Sequence, residues 1–97
     1  MAAPEHSPDY RWLKRGRQRI LVIRDMEPNH PVTGEELRKK LNYAIKDRPK
    51  LSLREISRHL TSFEKKGMVK CLDSDQPYGR HYILTKKGER IKKNVKP

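Results

Sequence analysis

The segment from Ser52 to Gly88, SLREISRHLTSFEKKGMVKCLDSDQPYGRHYILTKKG, constrains the fold of this chain more than any other. Ser52 and Glu55 stand three apart ahead of an apolar run. In that pattern the serine hydroxyl accepts from the amide of the third helical residue while the glutamate reaches back to the cap's own amide. At about 100° per residue, Leu53, Ile56, Leu60 and Phe63 fall within an arc of roughly 80° and form the expected buried stripe. Arg54, Arg58, Thr61, Ser62 and Lys65 cluster opposite, with Glu55, His59 and Lys66 at the flank. Gly67 predicts a left-handed helix stop, and Lys65 and Lys66 lie in the last turn, where the helix dipole favours cations. Two β-prone runs follow, Met68 to Leu72 and His81 to Leu84, separated by the polar DSDQPYGR. They predict a hairpin with a loose tip.

Upstream, Leu13, Gly16, Ile20 and Ile23 recur at spacings of three and four, predicting one helix from about Tyr10 to Met26. Pro28 and Pro31 stop it and leave an extended link in which Val32 can form a very short strand. Thr33 and Glu36 make a second capping box, opening a helix whose stripe is Leu37, Leu41, Ala44 and Ile45. Pro49, in DRPK, ends it, because proline cannot donate to the helix ladder. Thr85 starts a last helix with Ile91 and Val95 as apolar contacts, weakened at Gly88 by about 1 kcal/mol relative to alanine. Residues 1–9, opening with MAAPEHSP, have two prolines and no periodicity, and are expected as a loose tail before one domain at 10–95. The order is helix, short strand, helix, helix, strand, strand, helix, an α+β fold.

Charge narrows the partners. The chain carries 24 basic and 12 acidic residues, a formal net charge of +12 on 97 residues, an excess that favours polyanions. Arg11, Lys14, Arg15, Arg17, Arg19 and Arg24 face no acid between them. After Thr85 come Lys86, Lys87, Arg90, Lys92, Lys93 and Lys96 against Glu89 alone. A merely soluble or ribosomal basic protein is the plain alternative. Cys71 is the sole cysteine, so no intrachain disulfide can form, which fits a reducing compartment. No apolar stretch approaches a membrane span, and no signal-peptide core precedes the domain. A cytoplasmic, nucleoid-associated protein without membrane contact is expected.

The blocks LREISRHLTSFEKKGMV (Leu53 to Val69) and GRHYILTKKGERI (Gly79 to Ile91) resemble the winged helix-turn-helix fold of small archaeal and bacterial transcriptional regulators of the MarR-like kind. The resemblance extends more weakly from about Arg11 to Asn94. It implies a three-helix core, a β-hairpin wing and a short C-terminal helix. It also implies that the helix at about 52–66 is a recognition helix and that 73–81 is the wing. The same scaffold serves in protein–protein contacts, so it speaks less to function than to fold.

From these residues we expect double-stranded DNA as partner. Arg54 and Arg58, one turn apart, are suited to a major groove, where a guanidinium can donate to both guanine O6 and N7. Ser52, Ser57, Thr61, Ser62 and Lys65 share that side and can reach bases or phosphates. Tyr78 and Arg80 occupy the hairpin tip, and Arg80 suits a narrow minor groove or a phosphate; Gln76 and His81 are secondary candidates. Arg11, Lys14 and Arg15 either touch phosphates or keep the chain soluble, and lysines of the end helices are expected to track the backbone. Trp12 anchors either to the core or across a homodimer interface. A winged-helix module docking a transcription-machinery protein or RNA is the competing expectation. Cys71 and His81 lie on paired strands, but one cysteine with His6, His30, His59 and His81 scattered makes no close metal-ligand set. No glycine-rich phosphate loop or nucleophile–base pair is present, and Glu35 and Glu36 are explained by a helix start. Neither a cofactor nor catalysis is expected.

Overall fold

Local hydrogen bonds start and stop the helices. The computed structural model describes residues 8–44 and 50–95. In both capping boxes each half forms: Glu36 N donates to Thr33 Oγ1 (3.1 Å) and Thr33 N to Glu36 Oε1 (3.0 Å), while Glu55 N donates to Ser52 Oγ (3.1 Å) and Ser52 N to Glu55 Oε1 (3.0 Å). These bonds hold both glutamate carboxyls below their ordinary range. They begin α3, Gly34–Ala44, and α4, Leu53–Lys65. Gly67, at φ +75°, ends α4: its own amide donates to Glu64 O and that of Met68 to Phe63 O, the paired bonds of a Schellman stop. Thr85 Oγ1 accepts from Gly88 N and opens α5, Lys86–Lys93.

The first helical segment departs from expectation. It is two helices, α1, Pro8–Lys14, and α2, Arg17–Arg24. Gly16, placed by its spacing on a continuous apolar face, is instead extended (φ −121°, ψ 109°) and forms the N-cap of α2. The ladder slips to Gly16 N on Leu13 O. The freed Trp12 carbonyl takes a hydrogen bond from Arg19 Nη1 at 2.6 Å, so the break leaves it satisfied. Helix α1 also begins inside the stretch read as tail. Pro8 is tolerated in a first turn because its missing N–H would have had no helical partner, and Asp9 bridges to Lys87 (2.6 Å) and Lys66 (3.8 Å). The Ala44 side chain, Ile45, and the break at Asp47 to Pro49 lie outside the described residues, as do His6 and Lys96.

Strands β1, Val32–Thr33, β2, Val69–Cys71, and β3, His81–Leu84, form an antiparallel sheet in the order β1-β3-β2. Val32 and Cys71 both pair with Tyr82, and Val69 with Leu84, putting these side chains on one face. Strand β2 is shorter than the expected Met68 to Leu72, although Leu72 N still donates to His81 O (2.9 Å). Among the described residues the architecture is five helices and one small three-stranded antiparallel sheet, an α+β fold.

The core gathers Leu13 from α1, Val22 and Ile23 from α2, Leu37 and Leu41 from α3, Ile56, Leu60 and Phe63 from α4, and Tyr82, Leu84 and Ile91 from the C-terminal part. Leu53 does not join them: it is 45% exposed, at the edge of the arc. Gly88 has a different role from the weak helix position expected of it. It is buried, and a β-carbon there would stand 2.1 Å from the Met68 carbonyl oxygen. Only glycine lets α5 lie this close to the α4–β2 corner.

Candidate nucleic-acid interface

Helix α4 presents three strips. Ile56, Leu60 and Phe63 face the core. Glu55, His59 and Lys66 face the α1–α2 corner. Ser57, Arg58, Thr61, Arg54 and Lys65 are exposed, and Ser62 is partly covered.

The α1–α2 strip is bonded throughout. Gln18 Nε2 donates to Glu55 Oε2 (3.2 Å), and Gln18 Oε1 lies 2.9 Å from His59 Nε2. An amide oxygen only accepts, so the His59 Nε2 carries the hydrogen. The His59 ring stacks at 6.5 Å on Phe63. Its pKa is lowered by burial first and then by the Arg19 guanidinium, with Glu55 opposing. Trp12, for which core and dimer roles were both open, meets Phe63 edge-on at 5.7 Å. Arg19 (4.1 Å) and Lys66 (4.8 Å) approach its ring as cations over an aromatic face.

Across the helix, the β2–β3 hairpin stands beside the exposed strip. Asp73 clamps its base: Oδ1 accepts from His81 N at 2.7 Å, and Oδ2 lies 3.0 Å from His81 Nδ1. The hydrogen bonds from the His81 side chain and backbone hold the Asp73 carboxyl below its ordinary value. His81, a secondary DNA candidate, thus serves the hairpin's closure. At the tip Gly79 turns at φ +64°, a left-handed conformation that suits glycine. Arg80 Nε donates to Gln76 O. Tyr78 is 87% exposed. Leu53, Ser57 and Thr61 of α4, Thr33 and Glu35 at the start of α3, and Tyr78, Arg80 and Tyr82 of the hairpin enclose a cleft of about 360 Å³.

The expected site residues separate into groups. Arg54, Arg58 and Lys65 are exposed and have no ion pair among the described residues. Ser57 and Thr61 sit beside them on the cleft, the Thr61 hydroxyl turned back onto Ser57 O at 2.9 Å. Ser52 serves first as the helix cap. Tyr78 and Arg80 come to the same cleft. Arg11 and Lys14 are exposed on α1 and Arg15 just after it; α1 reaches α4 through Trp12 on the flank away from the hairpin, and Lys14 also lies 5.5 Å from the Tyr10 ring centre.

The lysines of the end helices do not all stand free, as expected of them. Lys87 is held by Asp9 and by Lys66 O, Lys92 by Glu27 (3.0 Å) and Met26 O (2.6 Å), and Lys93 lies 3.9 Å from Glu89. Acids scattered through the sequence come back to these lysines in the fold. Two residues not expected at the site shape it. Gln18 has no sequence signal, because its partners are 37 and 41 residues away. Leu53 was hidden by its apolar type.

Among the described residues no group of three or more histidine, cysteine, aspartate or glutamate side chains is placed to hold a metal ion. Nor is any described helix long and apolar enough to cross a membrane. Compared with protein-family models, curated protein sequences and solved structures, the chain matches none.

Proposed function

We propose that this chain is a winged-helix protein that binds double-stranded DNA, a small transcriptional regulator of the kind its Leu53–Val69 and Gly79–Ile91 blocks resemble. In this reading α3 and α4 are the helix-turn-helix pair, α4 lies in the major groove, and the β2–β3 hairpin is the wing on the adjacent minor groove or backbone. One observation carries it: Arg54, Arg58 and Lys65, without ion pairs among the described residues, lie on the exposed strip of α4, whose neighbours Ser57 and Thr61 line the cleft to which the hairpin tip brings Arg80 and Tyr78. A cationic strip without acidic partners is poorly placed to stabilise the chain itself and well placed to replace the counterions of a phosphate backbone.

A titration of duplex DNA with the full chain, followed by gel shift or anisotropy across salt concentrations, tests the reading. With five to eight phosphate contacts, log K should fall against log salt with a slope of about −4.5 to −7. A chain that ignores duplex DNA at low ionic strength is not a DNA-binding protein, and the surface would then serve a protein or RNA partner.

A further inference from the structure

The large apolar side chains left exposed include two that share one place. Leu53, at the first residue of α4, and Tyr78, at the hairpin tip, both line the cleft between them. Leu53 is held there. Its Cδ1 rests over Gly34, 3.3 Å from where a β-carbon would stand at that glycine. Gly34 thus gives the leucine a seat at the start of α3 while nearly half of its surface stays open to the cleft.

A single exposed leucine needs no explanation. A leucine and a tyrosine across one cleft, with Arg54 beside one and Arg80 beside the other, describe an occupant that is apolar at one point and anionic around it. An apolar protein segment fits poorly, because it would bury the Arg80 charge on the cleft without an anion to balance it. A DNA strand fits. In the major groove the one apolar feature among the base edges is the methyl group at C5 of a pyrimidine, and the first residues of a recognition helix come closest to those edges. Leucine has no donor or acceptor, so this is the only base feature it can distinguish.

Resting on the DNA-binding reading above, we propose that Leu53 reads the C5-methyl group of a pyrimidine, with Tyr78 of the hairpin against the flanking backbone. The methyl belongs either to thymine or to 5-methylcytosine. Arg54 and Ser57 then lie next to the methyl-bearing base pair, and the selectivity comes from apolar surface removed from water.

The experiment selects preferred duplexes from a random-sequence pool with the full chain. It then measures Kd by anisotropy on those duplexes after single-base replacement. Thymine to uracil at one fixed position should weaken binding about three- to fivefold, the effect of burying one methyl group. Where the preferred position is a cytosine, its 5-methyl form should bind tighter by the same factor, and these two arms distinguish the sources of the methyl. In Leu53→Ala the difference between methylated and unmethylated bases should disappear. Leu53→Met should keep the preference and Leu53→Gln should lose it, so the result does not depend on one variant's folding. Equal losses for Leu53→Ala on thymine and uracil duplexes would place Leu53 against a sugar and overturn the proposal. Duplex binding with no response to any C5-methyl group would overturn it too, while leaving the DNA-binding reading intact. Absence of duplex binding by the parent chain would end both.

Discussion

On its α1–α2 flank, α4 is tied down by side chains that all have partners: Gln18 between Glu55 and His59, Trp12 on Phe63, and Asp9 on Lys66 and Lys87. On its hairpin flank the same helix borders a cleft, with Leu53 and Tyr78 exposed and Arg54, Arg58 and Lys65 without ion pairs among the described residues. The two flanks receive similar residue types, arginine, lysine and an aromatic, and use them differently. Arg19 and Lys66 place their charge over the Trp12 ring, whereas Arg54 and Arg58 have no ion pair among the described residues. A helix meant to hold one angle while meeting a large partner needs this asymmetry. A side chain that fixes the angle cannot also be free to bind.

The contrast can be broken by mutation, beginning where the effect is largest. Leu60 packs into the core and also lines the cleft, so Leu60→Ala should lower unfolding free energy by about 2–5 kcal/mol. DNA binding should go with the fold, although Leu60 itself is buried. Melting like the parent would mean that α4 is not wedged between its neighbours. On the bonded flank, Trp12→Ala should cost about 1–3 kcal/mol, less than a fully buried tryptophan because its ring is only partly covered. Its salt dependence on duplex DNA should be unchanged where the variant is folded; a flatter slope would move the α1–α2 corner into the binding surface.

The exposed strip should behave in the opposite way. Arg58→Ala should cost about 1–3 kcal/mol on a preferred duplex and relax one base position. Lys65→Ala should weaken all sequences alike and reduce the salt slope by about one. Uniform losses for both would make α4 a phosphate clamp and not a reader. Arg80→Ala, at the hairpin tip, should weaken binding and leave stability within about 0.5 kcal/mol of the parent; a lowered melting temperature would show that the Arg80 bond to Gln76 O holds the tip together.

The smallest effect belongs to His59. Its folded pKa lies below the ordinary 6.5, so between those two values the unfolded chain takes up a proton that the native chain does not. This contribution to stability is complete above about 6.5 and is lost as the pH falls toward the folded pKa. Thermal melts of the parent and of His59→Gln at successive pH values should diverge in that window, the parent losing more. Parallel curves would mean that the stacked ring gains its proton without opening the flank.

What the sequence made legible was local. Thr33 with Glu36, Ser52 with Glu55, Gly67 and Thr85 act on groups within a few residues, so spacing alone located four helix ends. The exposed strip of α4 followed from the same periodicity. What escaped depends on contacts across the chain. Gly16 fits an apolar helical face in sequence, yet the chain breaks there and Arg19 caps the carbonyl the break frees. Gly88 reads as a weakness until Met68 O is seen to lie where its side chain would be. Asp9 looks like part of a tail because its lysines are far along the chain. Leu53 falls within the apolar arc, but at its edge, where it rests on Gly34 and opens onto the cleft.

The first helix finds its polar partners at the other end of the domain. Tyr10 Oη donates to Asn94 O at 2.9 Å, Asp9 meets Lys87, and the Lys92 ammonium reaches back to Met26 O and Glu27. During synthesis the α1 segment leaves the ribosome early and must wait for nearly the whole domain before these contacts exist. Closing a loop of this length costs entropy before the contacts return it. Docking of α1 onto α5 is therefore a late folding event, and Asp9 and the Tyr10 hydroxyl lack these C-terminal partners until the last helix has emerged. A nascent chain arrested before Lys87 should leave α1 open to protease, and one extended past Asn94 should protect it.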